Sequence, residues 1–315
     1  MRLGDQRESQ NIENRRDEGG GLGLGGGGGM GASGMGGLLS AFLPLIVSKF
    51  GIGGIAVVGL LFFVVSCLPQ MMASAPAPAP QLPGAQSPST PGAPGQIRKG
   101  QLETEADRFV AKVLATTEDS WGQIFAESGQ RYPAPTLVLF EGGIRSACGS
   151  ASSASGPFSC PADRKVYLDT AFFDQLSRQF GAPGDFAAAY VIAHEVGHHI
   201  QNITGTLDQT TKLQARMRER ERNAVQVRVE LQADCYAGVW AARNKALLDE
   251  GDFAEGVRAA QSIGDDTPMA SAGRRVVPDS FTHGSAEQRV RWLTKGFRSG
   301  DPDVCDTFSI PESQL

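Results

Sequence analysis

His194, Glu195 and His198 stand in the pattern His-Glu-x-x-His within the run from Ala189 to Gln201, which is otherwise rich in Ala, Val and Ile. On a helix, residues four apart lie one above the other, so the two imidazoles reach a single divalent ion while Glu195 sits beside its open coordination position. The chemistry this permits is metal-assisted hydrolysis, with Zn2+ as the expected ion and Glu195 as the base. Three of the four histidines, His194, His198 and His199, fall within six residues. Such a cluster would be costly to bury without a partner for its polar atoms.

A second stretch, Arg228 to Gly238, offers Glu230 and Asp234 four residues apart on one helix face in mainly apolar surroundings. Two adjacent carboxylates there require a cation or strong donors. Zinc held by two histidines and one carboxylate keeps a position open for hydrolysis, which makes Glu230 the expected third ligand. Asp234, one turn further on, is expected to accept the free ring N–H of a ligand histidine and fix its tautomer. The spacing leaves the exchange of these two roles open. A third histidine ligand in the extended motif is excluded, because Gln201 and Thr204 occupy the positions that need Gly and His. His199 is rotated off the ligand face and is expected to support the helix or a ligand rather than bind metal. His283 precedes the last helix, where it could donate to the oxyanion of a tetrahedral intermediate or serve as an ordinary turn residue.

These side chains need rigid elements. Phe186, Ala189, Ala193, Val196 and Ile200 form an apolar stripe at helical spacing away from the ligands, so the metal helix can bury one face and line a cleft with the other. It is expected to start near Asp185, a good N-cap. Further helices are expected over Thr104–Glu127, Thr170–Phe180, Thr206–Ala246, Asp252–Ile263 and Gly284–Phe297. Pro135–Phe140 and Lys165–Asp169 read as strands of a small sheet. The fold class is therefore α+β and mainly helical.

With 315 residues, 40 glycines and 18 prolines, the chain spends much of its first hundred residues on segments that cannot build a core. Residues 1–37, charged at first and glycine-rich from Gly19, are expected to be a disordered cytoplasmic segment. Residues 38–68 form an anchor region in which Ile52 to Leu68 carries no charge and is long enough for one transmembrane helix. Arg2, Arg7, Arg15, Arg16 and Lys49 precede the span, which orients the N-terminus to the cytoplasm and the rest outside. A signal peptide would need a far shorter basic region, and Val64-Val65-Ser66-Cys67 resembles a lipoprotein processing site. Residues 69–96 are a Pro/Ala-rich spacer reaching about 80 Å at full extension. Residues 97–315 remain as one domain. The net charge of −5 and the absence of a basic patch exclude a nucleic-acid partner, with Arg216 to Arg222 read as a solvated face.

Beyond Cys67, four cysteines remain, and an even number in an oxidising compartment suggests two disulfides. Three pairings are possible. Closeness in the chain favours Cys148 with Cys160, leaving Cys235 with Cys305.

The sequence resembles the bacterial neutral zinc metallopeptidases with an N-terminal membrane anchor. The resemblance rests on His194-Glu-Val-Gly-His-His-Ile-Gln201, Glu230-Leu-Gln-Ala-Asp-Cys-Tyr-Ala-Gly238, Pro157-Phe-Ser-Cys-Pro161 with Val166-Tyr-Leu-Asp169, His283-Gly-Ser-Ala-Glu-Gln-Arg289 and Arg7 to Arg16. It implies a zincin-like fold in which His194, His198 and Glu230 hold zinc and Glu195 is the base. The expected activity is hydrolysis of peptide bonds in proteins or peptides at the periplasmic side of an inner membrane, with the substrate adding to a sheet edge at Lys165–Asp169. A zinc-stabilised peptide-binding module and an envelope scaffold are the rivals. The first would have no use for Glu195.

Overall fold

Side chains along Thr136–Phe140 alternate between two apolar environments, as a strand covered on both faces requires. Leu137 and Leu139 face the helices, while Val138 and Phe140 pack with Ile144, Cys160 and Tyr167 on the other side. The computed structural model describes residues 1–17, 98–99, 102–178, 184–273 and 275–315. In chain order its elements are β1 (Ile12–Asn14), β2 (Arg98–Lys99), α1 (Glu105–Glu127), β3 (Thr136–Phe140), β4 (Gly143–Ser146), β5 (Gly149–Ser152), β6 (Phe158–Cys160) and β7 (Lys165–Asp169). They continue with α2 (Phe172–Arg178), α3 (Asp185–Ile203), α4 (Thr206–Gln214), α5 (Glu219–Arg243), α6 (Asp252–Ser262), α7 (Asp266–Ser271) and α8 (Ala286–Ser299).

The sheet order is β2-β1-β3-β7-β6, with β1, β3 and β7 parallel and the two outer strands antiparallel to their neighbours. Strands β4 and β5 form a separate hairpin. The expected mainly helical α+β fold with a small sheet is present. Lys165–Asp169 is an inner strand, however, so the edge nearest the metal helix is β6. Cys148–Cys160 ties that edge to the loop between β4 and β5, and Cys235–Cys305 ties α5 to the C-terminal segment, the pairing expected from the sequence.

Residues 1–17 correct the expectation that they stay unfolded. Ile12 is 1% exposed, Leu3 joins the same core, and Ile12, Glu13 and Asn14 are in register with Leu137, Val138 and Leu139. The contacts divide the chain into Met1–Gly23 with Gly92–Leu315 and, separately, Leu24–Pro91. The Gly-rich stretch, the span Ile52–Leu68, Cys67 and the whole linker 69–96 lie outside the described residues. Among those described, no helix is long and apolar enough to cross a membrane.

Two helix ends differ from expectation. Thr206–Ala246, where Asn223 and Val227-Arg-Val229 already argue against one unbroken rod, breaks earlier: α4 stops at Gln214, and a new helix starts after Arg218, whose N–H donates to Glu221 at 3.0 Å as a first-turn cap. Asp185 is the first residue of α3 and Gly184 is its N-cap. Thr104 and Asp107 cap α1 reciprocally, and Ser285 and Gln288 do the same for α8.

The central helix α3 packs against α5, α6 and α1, and α5 packs in turn along α8. Both crossings of α5 are close because glycine removes the side chain at the contact. A Cβ at Gly197 would lie 3.0 Å from the Ala233 carbonyl oxygen, and one at Gly296 would lie 2.0 Å from that of Cys235. The first approach brings Glu230 to the histidines of α3. The second brings α8 against the turn that carries Asp234.

Candidate metal centre

Tyr190, His194 and His198 recur at four-residue intervals along α3, so their side chains stack on one face. Each histidine is held by its Nδ1. That of His194 donates to Asp234 Oδ1 at 2.8 Å, and that of His198 to Gln201 Oε1 at 2.8 Å. Gln201 cannot turn its amide, because its nitrogen donates to Val229 O at 2.7 Å and Gln232 Oε1 at 3.0 Å. With both Nδ1 atoms engaged as donors, the Nε2 lone pairs are the ones available to a metal.

Those Nε2 atoms converge on one carboxylate oxygen. Glu230 Oε2 lies 3.2 Å from His194 Nε2 and 3.4 Å from His198 Nε2, and its other oxygen accepts from Gln226 Nε2 at 2.9 Å. Among the described residues, His194, His198 and Glu230 offer three ligand atoms within 4.8 Å of one another. Two imidazole lone pairs and a carboxylate oxygen aimed at one point suit a borderline cation such as Zn2+. The donor set therefore fits the expected ion and favours Glu230 over Asp234 for the third position.

Asp234 is fully buried and saturated. It accepts from Tyr190 OH at 2.5 Å, from His194, and from Arg289 through Nε at 2.8 Å and Nη2 at 2.9 Å. Burial pushes its carboxyl up, but Arg289 and His194 outweigh this and hold it down at about 2. Burial likewise pushes Glu230 up, while His198 and His194 bring it well below the ordinary range. His194 is raised to about 10 because Asp234 and Glu230 outweigh the burial that disfavours its charged form. These groups form one ionic network, in which removing any charge exposes another.

Glu195, 8% exposed, lines the same cleft. Burial raises its carboxyl above the ordinary value, opposed by His198 and His194, which makes it a stronger proton acceptor than a solvated glutamate. The cleft has a volume of 1030 Å³. Its walls include Gly156 to Ser159 from the β6 edge, Leu207 and Thr211 from α4, and His283. His283 is half exposed, and its Nδ1 lies 3.2 Å from Asp265 Oδ1, which raises its pKa. His199 is on the other side of α3. Its Nε2 donates to the Pro133 carbonyl oxygen at 2.7 Å and its ring meets Tyr132, so the expected support of a ligand is corrected to a tie between α3 and the segment leading into β3.

Sequence reasoning passed over Arg289, Tyr190, Gln201, Gln226 and Asp265 as working residues. Tyr190 and Gln201 had a signal, since they lie four before His194 and three after His198 on the ligand face. Arg289 had a weaker one, as an arginine on the same face as Trp292, Leu293 and Gly296, all buried.

The sequence model of the family described as "Putative neutral zinc metallopeptidase" matches residues 1–308. An uncharacterized protein of Escherichia coli strain K12, YpfJ, is 42% identical over 310 residues, spanning 98% of this chain and 99% of that protein. An uncharacterized protein of Mycobacterium tuberculosis strain H37Rv, Rv2575, is 39% identical over 234 residues, 70% of this chain and 78% of its own length. No solved structure matches.

Proposed function

The chain belongs to the neutral zinc metallopeptidase family, and from that membership we propose that it is a zinc-dependent peptidase acting on proteins or peptides outside the cytoplasm. One observation carries the reading: His194 Nε2, His198 Nε2 and Glu230 Oε2 converge beside Glu195 in a cleft. When bound by these three residues, zinc supplies the Lewis acidity that acidifies water and polarises a peptide carbonyl. Glu195 takes the proton from the attacking water and passes it to the leaving amine. Asp234, itself neutralised by Arg289, holds His194 in the tautomer that points Nε2 at the ion. Gln201 does the same for His198.

His283 is the donor proposed for the oxyanion, and Asp265 keeps it protonated to higher pH. An extended substrate would add to β6, the outer strand whose residues wall the cleft, rather than to β7. The two disulfides support the extracytoplasmic setting. Membrane attachment through the apolar residues 38–68 rests on their hydropathy.

The test uses the full chain, because a fragment starting at residue 97 would lack β1. Purified protein should contain one zinc per chain and cleave an unstructured protein substrate. Chelation should abolish cleavage and added zinc should restore it. Protein without bound metal, or cleavage indifferent to chelation, would refute the proposal.

A further inference from the structure

Two strands widely separated in the sequence meet in the sheet, and what lies between them is the most apolar part of the chain. Glu13 pairs with Lys99 and Asn14 with Arg98, so the 83 residues from Arg15 to Ile97 leave and return at one point of the sheet. On its other side β1 is locked to β3, with the Leu137 N–H donating to Asn11 O and the Arg15 N–H to Leu139 O, both at 2.8 Å. We infer that residues 1–17 and the domain from Arg98 onward occupy the same side of any membrane the chain meets.

A single crossing would put β1 and β3 on opposite sides of a bilayer whose apolar core is about 30 Å thick. It would also strip the domain of side-chain contacts beyond those of β1. Arg16 is the ion-pair partner of Asp107, which is fully buried at the start of α1. Lys165 reaches from β7 to Glu13 at 2.7 Å. Arg7 pairs with Glu118 and Asp119, and Ser9 and Asn11 both donate to Glu118. Without the N-terminal segment, Asp107 would be a buried carboxylate short of its cation and Glu118 would lose three partners.

The arginines that favour one crossing are themselves engaged by the domain. Arg2 bonds the carbonyl oxygens of Ala246 and Leu248, Arg15 that of Arg145, and Arg7 and Arg16 are in the ion pairs above. Of the basic residues counted toward a cytoplasmic N-terminus, Arg2, Arg7, Arg15 and Arg16 thus contact the folded domain, and Lys49 lies outside the described residues.

This inference does not depend on the metal. It is tested in the full chain carrying Cys67→Ser, with a single added cysteine at exposed Gln10 or at exposed Arg131, in spheroplasts treated with a membrane-impermeant maleimide before or after permeabilisation. The two positions should label in the same condition, either both before or both only after. Labelling of one before and the other only after would overturn the inference. As a second measure, the Arg15 amide in the purified full chain should exchange with solvent as slowly as the amides of β3. Exchange of Arg15 at the rate of an unstructured peptide would overturn it as well.

Discussion

The two carboxylates of α5 lie one turn apart, and their surroundings assign them different work. At the Glu230 turn the neighbours are two histidine Nε2 atoms and one amide, and the turn opens on the cleft. At the Asp234 turn every neighbour is a donor: Tyr190, His194 and a doubly bonded Arg289, all sealed by α8. A carboxylate that faces two histidine Nε2 atoms and an open cleft is poised for a cation, whereas one enclosed by donors is already neutralised and acts as a brace. Both are carboxylates on one face of the same helix. The difference comes from which helix crosses at each turn, and so from Gly197 and Gly296, which allow the crossings.

The sharpest way to break this comparison is to remove each carboxylate in turn and measure bound zinc. Glu230→Ala should lose the metal outright. Asp234→Ala should weaken binding by roughly 10- to 100-fold, as expected for loss of a group that orients a ligand. The reverse order would exchange the two assignments. Stability gives a second, smaller contrast, because Arg289→Leu leaves Asp234 as a buried unpaired charge. Denaturant unfolding of this variant should show a loss of roughly 3 to 5 kcal/mol. A loss below about 1 kcal/mol, the range of an exposed pair, would mean that the sealed turn is open to water.

The smallest effect concerns the rim of the cleft. Asp265 raises the pKa of His283, so the protonated donor persists to higher pH than an isolated imidazole allows. Removing that carboxylate lowers the His283 pKa toward its ordinary value. The alkaline limb of the kcat/KM profile of Asp265→Asn should therefore move to lower pH, with the acid limb unchanged. An unmoved alkaline limb would remove His283 from the mechanism.

Periodicity was enough to find the metal helix, because His194 and His198 share a face opposite an apolar stripe, and local patterns also identified α1, β3, β7 and both disulfides. What escaped was set by distant parts of the chain. Strand β1 has three residues in a charged run and becomes a strand only because β3, more than a hundred residues later, offers it an edge. Arg289 looks like a solvated helix residue until α8 presses it against Asp234. His199 adjoins a ligand in sequence but points to Pro133, since neighbours on a helix are about 100° apart. The break between α4 and α5 depends on a side-chain cap by Glu221 in a stretch with no glycine or proline to announce it.

Glu195 lines the same cleft as His194, His198 and Glu230 but is not one of the three residues that offer ligand atoms to one point. The direct measurement is zinc content together with peptide hydrolysis for the full-length Glu195→Gln protein beside the wild type. The substitution preserves shape and leaves His194, His198 and Glu230 in place. Zinc should remain at wild-type stoichiometry while turnover falls by roughly 100- to 10,000-fold. A Glu195→Gln protein that keeps its zinc and cleaves as fast as the wild type would contradict the account.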